Sequence, residues 1–139
     1  MTLVLDASMA LAWVFARQQA EDTARASQLL AACGEEPWWV PGLWHLEVAN
    51  ALLVAERRGL MEPEASDLFR ARLASLPISC DDDTAHERQS RVVALARSHG
   101  LSSYDATYLE LAQRLEARLA SFDRRLNQAA TAVGVGLVP

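Results

Sequence analysis

The chain has 139 residues and a mass of 15.2 kDa, room for one domain and not for two of ordinary size. Apolar residues make up 51% and charged residues 22%, a balance that supports a buried core and excludes a disordered chain. The net charge is −5 and every base is Arg, so P-loop, Schiff-base and lysine-assisted phosphoaspartate chemistry are excluded, and bulk positive charge cannot grip nucleic acid.

In chain order, residues 2–5 form an apolar run ending at Asp6, which predicts a buried strand. Residues 8–16 and 20–33 predict two helices, the second stopped by Gly34. Pro37 and Pro41 frame a second strand at 38–40, and a long helix follows over 43–58 to Gly59. Residues 62–75 carry Ala65, Leu68, Phe69, Leu73 and Leu76 at a helical period. A third strand is expected at 77–80. The acids Asp81, Asp82 and Asp83, with Thr84, suit the positive end of a helix reaching Gly100 and read as a solvated helix start. Then come a helix over 102–116, a fourth strand at 119–122, a helix over 123–133 and a last strand at 135–138. Short apolar strands alternating with helices predict a parallel sheet covered on both faces. Residues 1–139 therefore read as a single three-layer α/β/α domain with about five strands, whose ligands belong beyond the carboxyl ends of the strands.

Cys33 and Cys80 are too few for a disulfide framework, and with His45, His86 and His99 they show no zinc spacing. The apolar run at 7–16 has no basic segment before it and is too short to span a bilayer, so no membrane role and a cytoplasmic location are expected.

The acids are the informative residues. On the helix over 102–116, Thr107, Glu110 and Arg114 share one side, taken as the solvent face, and Asp105 lies opposite with Tyr108, Leu109 and Ala112. A carboxylate turned to the core needs a partner. One explanation is a capping box, with Ser102 as N-cap and Asp105 folding back to it. Glu47 and Asn50 lie one turn apart on an otherwise apolar helix; that stripe meets water, pairs Glu47 with an Arg, or belongs to a site. Asp6 and Asp123 each follow a strand and precede a helix, where Asp is a favoured cap. In a parallel sheet, however, both emerge at the edge where active sites form. Carboxylates converging there need an Arg or a divalent cation, and oxygen-only ligands favour Mg²⁺ or Mn²⁺.

Four segments carry a family likeness. Leu3-Val4-Leu5-Asp6-Ala7-Ser8, Leu43-Trp44-His45-Leu46-Glu47-Val48-Ala49-Asn50, Ser102-Ser103-Tyr104-Asp105-Ala106-Thr107-Tyr108 and Leu119-Ala120-Ser121-Phe122-Asp123-Arg124-Arg125-Leu126 resemble, in order, the signature segments of PIN-domain nucleases. The likeness is strongest to VapC-type toxins of toxin–antitoxin pairs. The resemblance implies a PIN-like fold and an acidic quartet of Asp6, Glu47, Asp105 and Asp123. Ser8, Ser121 and Asn50 would be supporting residues, with Ser121 standing where Thr is frequent.

The implied activity is Mg²⁺-dependent hydrolysis of RNA, with Mn²⁺ able to substitute, leaving a 5′-phosphate. Asp6, Asp105 and Asp123 are the expected metal ligands, and Glu47 is a ligand or positions the attacking water. The implied partners are an RNA substrate, a VapB-like antitoxin blocking the site, and a second copy in a homodimer. The apolar helix over 43–55 and the cluster Trp38, Trp39 and Trp44 offer surface for association, or belong to the core. Arg17, Arg57, Arg58, Arg124 and Arg125 are candidates for phosphate contact. The rivals are a housekeeping PIN-domain RNA-processing nuclease and a non-catalytic interaction protein whose acids only cap helices. Phosphoaspartyl enzymes would need the missing Lys. With the four acids set aside the rest of the chain is close to neutral, so the acidity belongs largely to the proposed site.

Overall fold

Four short strands lie side by side, all parallel, in the order β3-β2-β1-β4. The computed structural model describes residues 2–82 and 85–139. In chain order the elements are β1 (Leu3–Leu5), α1 (Ala7–Leu11), α2 (Ala20–Ala31), β2 (Trp38–Pro41), α3 (Leu43–Arg57), α4 (Pro63–Ala74), β3 (Ile78–Asp81), α5 (His86–His99), α6 (Ser103–Arg114), β4 (Arg118–Ala120) and α7 (Arg124–Ala132). Central β1 is fully buried, as an apolar strand with a covered sheet face on both sides must be. The crossovers β1 to β2 and β2 to β3 step one way along the sheet, and the crossover β3 to β4 steps back. Right-handed connections then put α1–α4 on one face and α5–α7 on the other. The packing agrees: α1 lies on α3, and α6 lies on β1, β2 and β4 with α5 and α7 beside it. The direction of winding reverses between β1 and β4, which opens a crevice at their carboxyl ends.

The expected three-layer α/β/α domain is present with four strands, one fewer than anticipated. The segment at 135–138 reaches β4 only through a single bridge, Leu119 to Leu137, with Leu119 N–H on Gly136 O (2.9 Å) and Val138 N–H on Leu119 O (3.0 Å). Gly134 and Gly136 contribute no side chains to a sheet face there, so pairing stops at one residue.

Other boundaries moved for identifiable reasons. Helix α1 ends at Leu11, short of 16, where the chain turns to pack the partly buried Trp13, whose Nε1 donates to Ala26 O (2.8 Å) and whose ring rests 6.1 Å from that of Trp38. Strand β4 ends at Ala120 because the next amides leave the ladder for side-chain hydroxyls. The acidic run is no helix start at Asp81, which instead completes β3, while α5 begins at His86. Asp83 and Thr84 lie outside the described residues. At its other end α5 stops as expected on Gly100, whose φ of 63° is left-handed.

Helix α6 also departs from expectation. The Thr107–Glu110–Arg114 side is not the solvent face: Glu110 is 4% exposed, beneath α5. Its charge is matched by Arg114, whose Nε donates to Glu110 Oε1 (2.9 Å) while Nη2 reaches Asp81 Oδ2 (2.7 Å). The guanidinium thus ties the end of β3 to the middle of α6. Of the tryptophans, Trp38 and Trp44 are core and Trp39 is partly buried.

Candidate active site

Asp6 leaves the carboxyl end of β1 with its amide still on the ladder, donating to Ala120 O (3.0 Å). It holds the N-cap position of α1 but makes no capping bond. Its carboxylate turns inward, 6% exposed, and Oδ2 accepts from two hydroxyls, Ser8 Oγ and Ser121 Oγ, both at 2.6 Å. Each hydroxyl in turn accepts an amide: Phe122 N–H donates to Ser8 (3.0 Å) and Asp123 N–H to Ser121 (2.9 Å). The amides fix the direction of both hydroxyl protons toward Asp6. Ser8 and Ser121 are therefore joined to the site through one carboxylate oxygen. From behind, Asn127 Nδ2 donates to Ser121 O (2.9 Å) and braces the same turn.

Asp123 caps α7, its Oδ1 accepting from Leu126 N–H (2.9 Å). Asp105 stands in the first turn of α6, where Ser102 caps the helix by accepting the Asp105 amide (3.1 Å). The capping bond uses the backbone of Asp105, so capping and a place in the site are compatible. Glu47, half-buried on α3, has no Arg partner among the described residues and is not in a purely aqueous setting. Its Oε1 accepts from Tyr108 Oη at 2.6 Å, across the sheet edge from α6. Tyr108 is fully buried. Sequence reasoning placed this tyrosine on the core stripe without a role; the available signal was that a buried phenol requires a partner.

The four acids feel one another. Burial pushes the Asp6 carboxyl up, the charge on Asp123 adds to it, and the Ser121 and Ser8 hydrogen bonds offset part. Burial also raises Glu47, with Asp6 and Asp105 adding and the Tyr108 bond opposing. Asp105 is raised by burial, then by Asp123 and Asp6, against its contact with Ser102. Among the described residues no Arg or His forms an ion pair with any of the four. Asn50, one turn beyond Glu47, is exposed and makes no hydrogen bond to these carboxylates among the described residues.

Of the candidate phosphate contacts, Arg17 and Arg124 line a cleft that reaches Ser8, beside Asp6. Arg125 lines a different cleft with His99. Arg57 lies in the last turn of α3, with Arg58 as its C-cap.

A family model described as PIN domain matches residues 3–132. Ribonuclease VapC3 of Pyrobaculum aerophilum is 32% identical over 127 residues, 91% of this chain and 92% of that protein. The structure of VapC20 from Mycobacterium tuberculosis, a sarcin–ricin loop cleaving toxin, superposes with a TM-score of 0.68 at 16% identity, covering 98% of both chains. A toxin–antitoxin complex from Klebsiella pneumoniae superposes with a TM-score of 0.64 at 19% identity, over 99% of this chain and 96% of that one. At these identities the two structures speak for the fold.

Proposed function

The chain belongs to the PIN-domain family, and from that premise we propose that it is a metal-dependent endoribonuclease, the toxin of a toxin–antitoxin pair. What carries this reading is the set of Asp6 and Asp123 at the N-cap positions of α1 and α7 and Glu47 and Asp105 on α3 and α6, whose charges bear on one another near the crevice between β1 and β4 with no ion-paired Arg or His among the described residues. The identity with Ribonuclease VapC3 supports RNA as the substrate. A purely capping role is disfavoured by Asp6, which sits in a cap position yet spends its carboxylate on Ser8 and Ser121.

The donor set fits a hard divalent cation, because it is all oxygen and uncompensated. As they stand, no three His, Cys, Asp or Glu side chains among the described residues are grouped closely enough to hold one ion. That suits Mg²⁺, which is ordinarily held by one or two carboxylates plus water and substrate phosphate. Of the expected ligands, Asp6 and Asp105 would bind it directly and Asp123 through water, and Mn²⁺ would substitute. When bound, the ion supplies charge neutralisation at the phosphodiester and a more acidic water.

The protein's own contribution is orientation. Two hydroxyls fix Asp6 Oδ2, and the α7 amide of Leu126 fixes Asp123 Oδ1. Tyr108 fixes Glu47 Oε1, leaving Oε2 without a hydrogen-bond partner among the described residues, in place to orient or accept a proton from the attacking water. With water as nucleophile and the 3′ oxygen leaving, as the family likeness implies, the products carry a 5′-phosphate and a 3′-hydroxyl.

The Klebsiella complex supports an antitoxin as partner. A homodimer is supported by Leu46 and Leu53, exposed on α3 at 75% and 45% and seven residues apart. The test is cleavage of total RNA with Mg²⁺, read by mapping new 5′-phosphate ends. The wild type cleaves, and Asp6→Asn loses roughly a hundredfold or more; full activity in a folded Asp6→Asn variant overturns the assignment.

A further inference from the structure

Four uncompensated carboxylates repel a polyanion, so something close to them has to hold the strand. The adjoining surface supplies it. A cleft of about 740 Å³ lies between the segment that joins α1 to α2 and the Phe122–Arg124 turn. Ser8 lies in its lining and also bonds Asp6, and Phe122 and Arg124 in the lining flank Asp123, so the cleft borders the acids. Phe122, the residue before Asp123, has its amide pinned on Ser8. The Arg17 guanidinium lies over the Phe122 ring, its Cζ 4.3 Å from the centroid. That plane is preset: the Arg17 amide donates to Thr23 Oγ1 (3.0 Å), and Nε faces Asp22 at 3.6 Å. Asp22, the one acid in the lining, is shared with Arg25 (3.8 Å), which is further held on Val138 O (3.4 Å). The terminal amino groups of Arg17 have no hydrogen-bond partner among the described residues. Arg124 stands on the wall too, and the exposed amides of Gln18 and Gln19 can both donate and accept.

We propose that this cleft binds the nucleotide of single-stranded RNA that flanks the scissile phosphate, with the Phe122–Arg17 tier stacking its base and Arg17 and Arg124 meeting its phosphates. A flat aromatic ring, a guanidinium plane and isolated cations are the means by which proteins hold unpaired nucleotides with little dependence on bulk charge. The inference rests on the nuclease reading and adds to it where the strand lies.

The test measures binding of a short fluorescent RNA oligomer of randomised sequence in an Asp6→Asn background, so that the RNA stays intact. Phe122→Leu keeps the bulk and removes the ring face; Arg17→Ala removes the guanidinium, and Arg17→Lys keeps the charge without the plane. Each of the first two is expected to weaken binding about tenfold, and Arg17→Lys less. RNA made with abasic ribose at every position should lose at least that factor on the parent and nothing further on Phe122→Leu. Unchanged melting temperatures show that the variants fold. If the wild type cleaves total RNA while Phe122→Leu and Arg17→Ala cleave and bind like their parents, the subsite is wrong and the nuclease stands. Variants that cleave normally but escape inhibition by the partner protein make the cleft a protein-docking surface and overturn the proposal. A wild type that neither cleaves nor binds RNA overturns the nuclease reading itself, and is recognised without any variant.

Discussion

Asp6 holds a carboxylate 6% exposed, beside Asp123, with two hydroxyls and the Ala7 amide to stabilise its charge. Its raised pKa, with those of Glu47 and Asp105, means that the folded state holds these protons more tightly than the unfolded chain does. The stability they contribute is complete below the ordinary carboxylate range, about pH 4, and is lost as pH rises through the raised values. The metal-free protein should therefore draw more stability from these acids near pH 4 than near pH 7, seen as a higher melting temperature there than in a variant lacking them. Asp6→Asn should flatten that dependence and gain about 1 kcal/mol, a few degrees, at neutral pH, because an amide oxygen still accepts from Ser8 and Ser121. Calorimetric melting of both proteins across pH checks this, and a lower melting temperature for Asp6→Asn at pH 7 contradicts it. The acids were legible one by one, as polar residues at odd places in an apolar pattern. The partners were not: the hydroxyl of Tyr108 meets Glu47 from 61 residues away, a distance that no local spacing encodes.

Helix α6 shows how an element-level reading succeeds and fails at once. Its span, its Ser102 cap and the inward direction of Asp105 follow from the sequence. Its solvent face does not, because a helix with α5 on one side and the sheet on the other has little outer surface left. Glu110 and Arg114 look like an ordinary exposed pair four residues apart. Tertiary burial turns them into a network with Asp81 that raises the Arg114 pKa, chiefly through its bonds to Glu110 and Asp81. Arg114→Ala leaves Glu110 buried with, among the described residues, only the longer contact to Arg91 (3.7 Å). It should cost about 3 kcal/mol, measured by urea unfolding, with RNA cleavage retained at temperatures where the variant is folded. A loss below about 1 kcal/mol would show that the network is no more than a surface pair.

At the scale of the whole molecule, the exposed leucines on α3 lie apart from the cleft beside Phe122, so association and RNA binding make separate demands on the surface. Leu53→Glu should shift the protein from dimer to monomer in sedimentation while leaving the melting temperature within about 2 °C, since a half-exposed leucine contributes little to the core. An unchanged sedimentation profile removes this face from the dimer. No helix among the described residues is long and apolar enough to cross a membrane. The order of strands and helices and the parallel sheet were determined by the sequence alone, because period and breakers are local signals. The four-strand limit, the buried side of α6, the hydroxyl clamp on Asp6 and the Phe122–Arg17 tier were decided only by tertiary structure. Each depends on which distant segments share a neighbourhood, and that is set by packing around the reversal between β1 and β4.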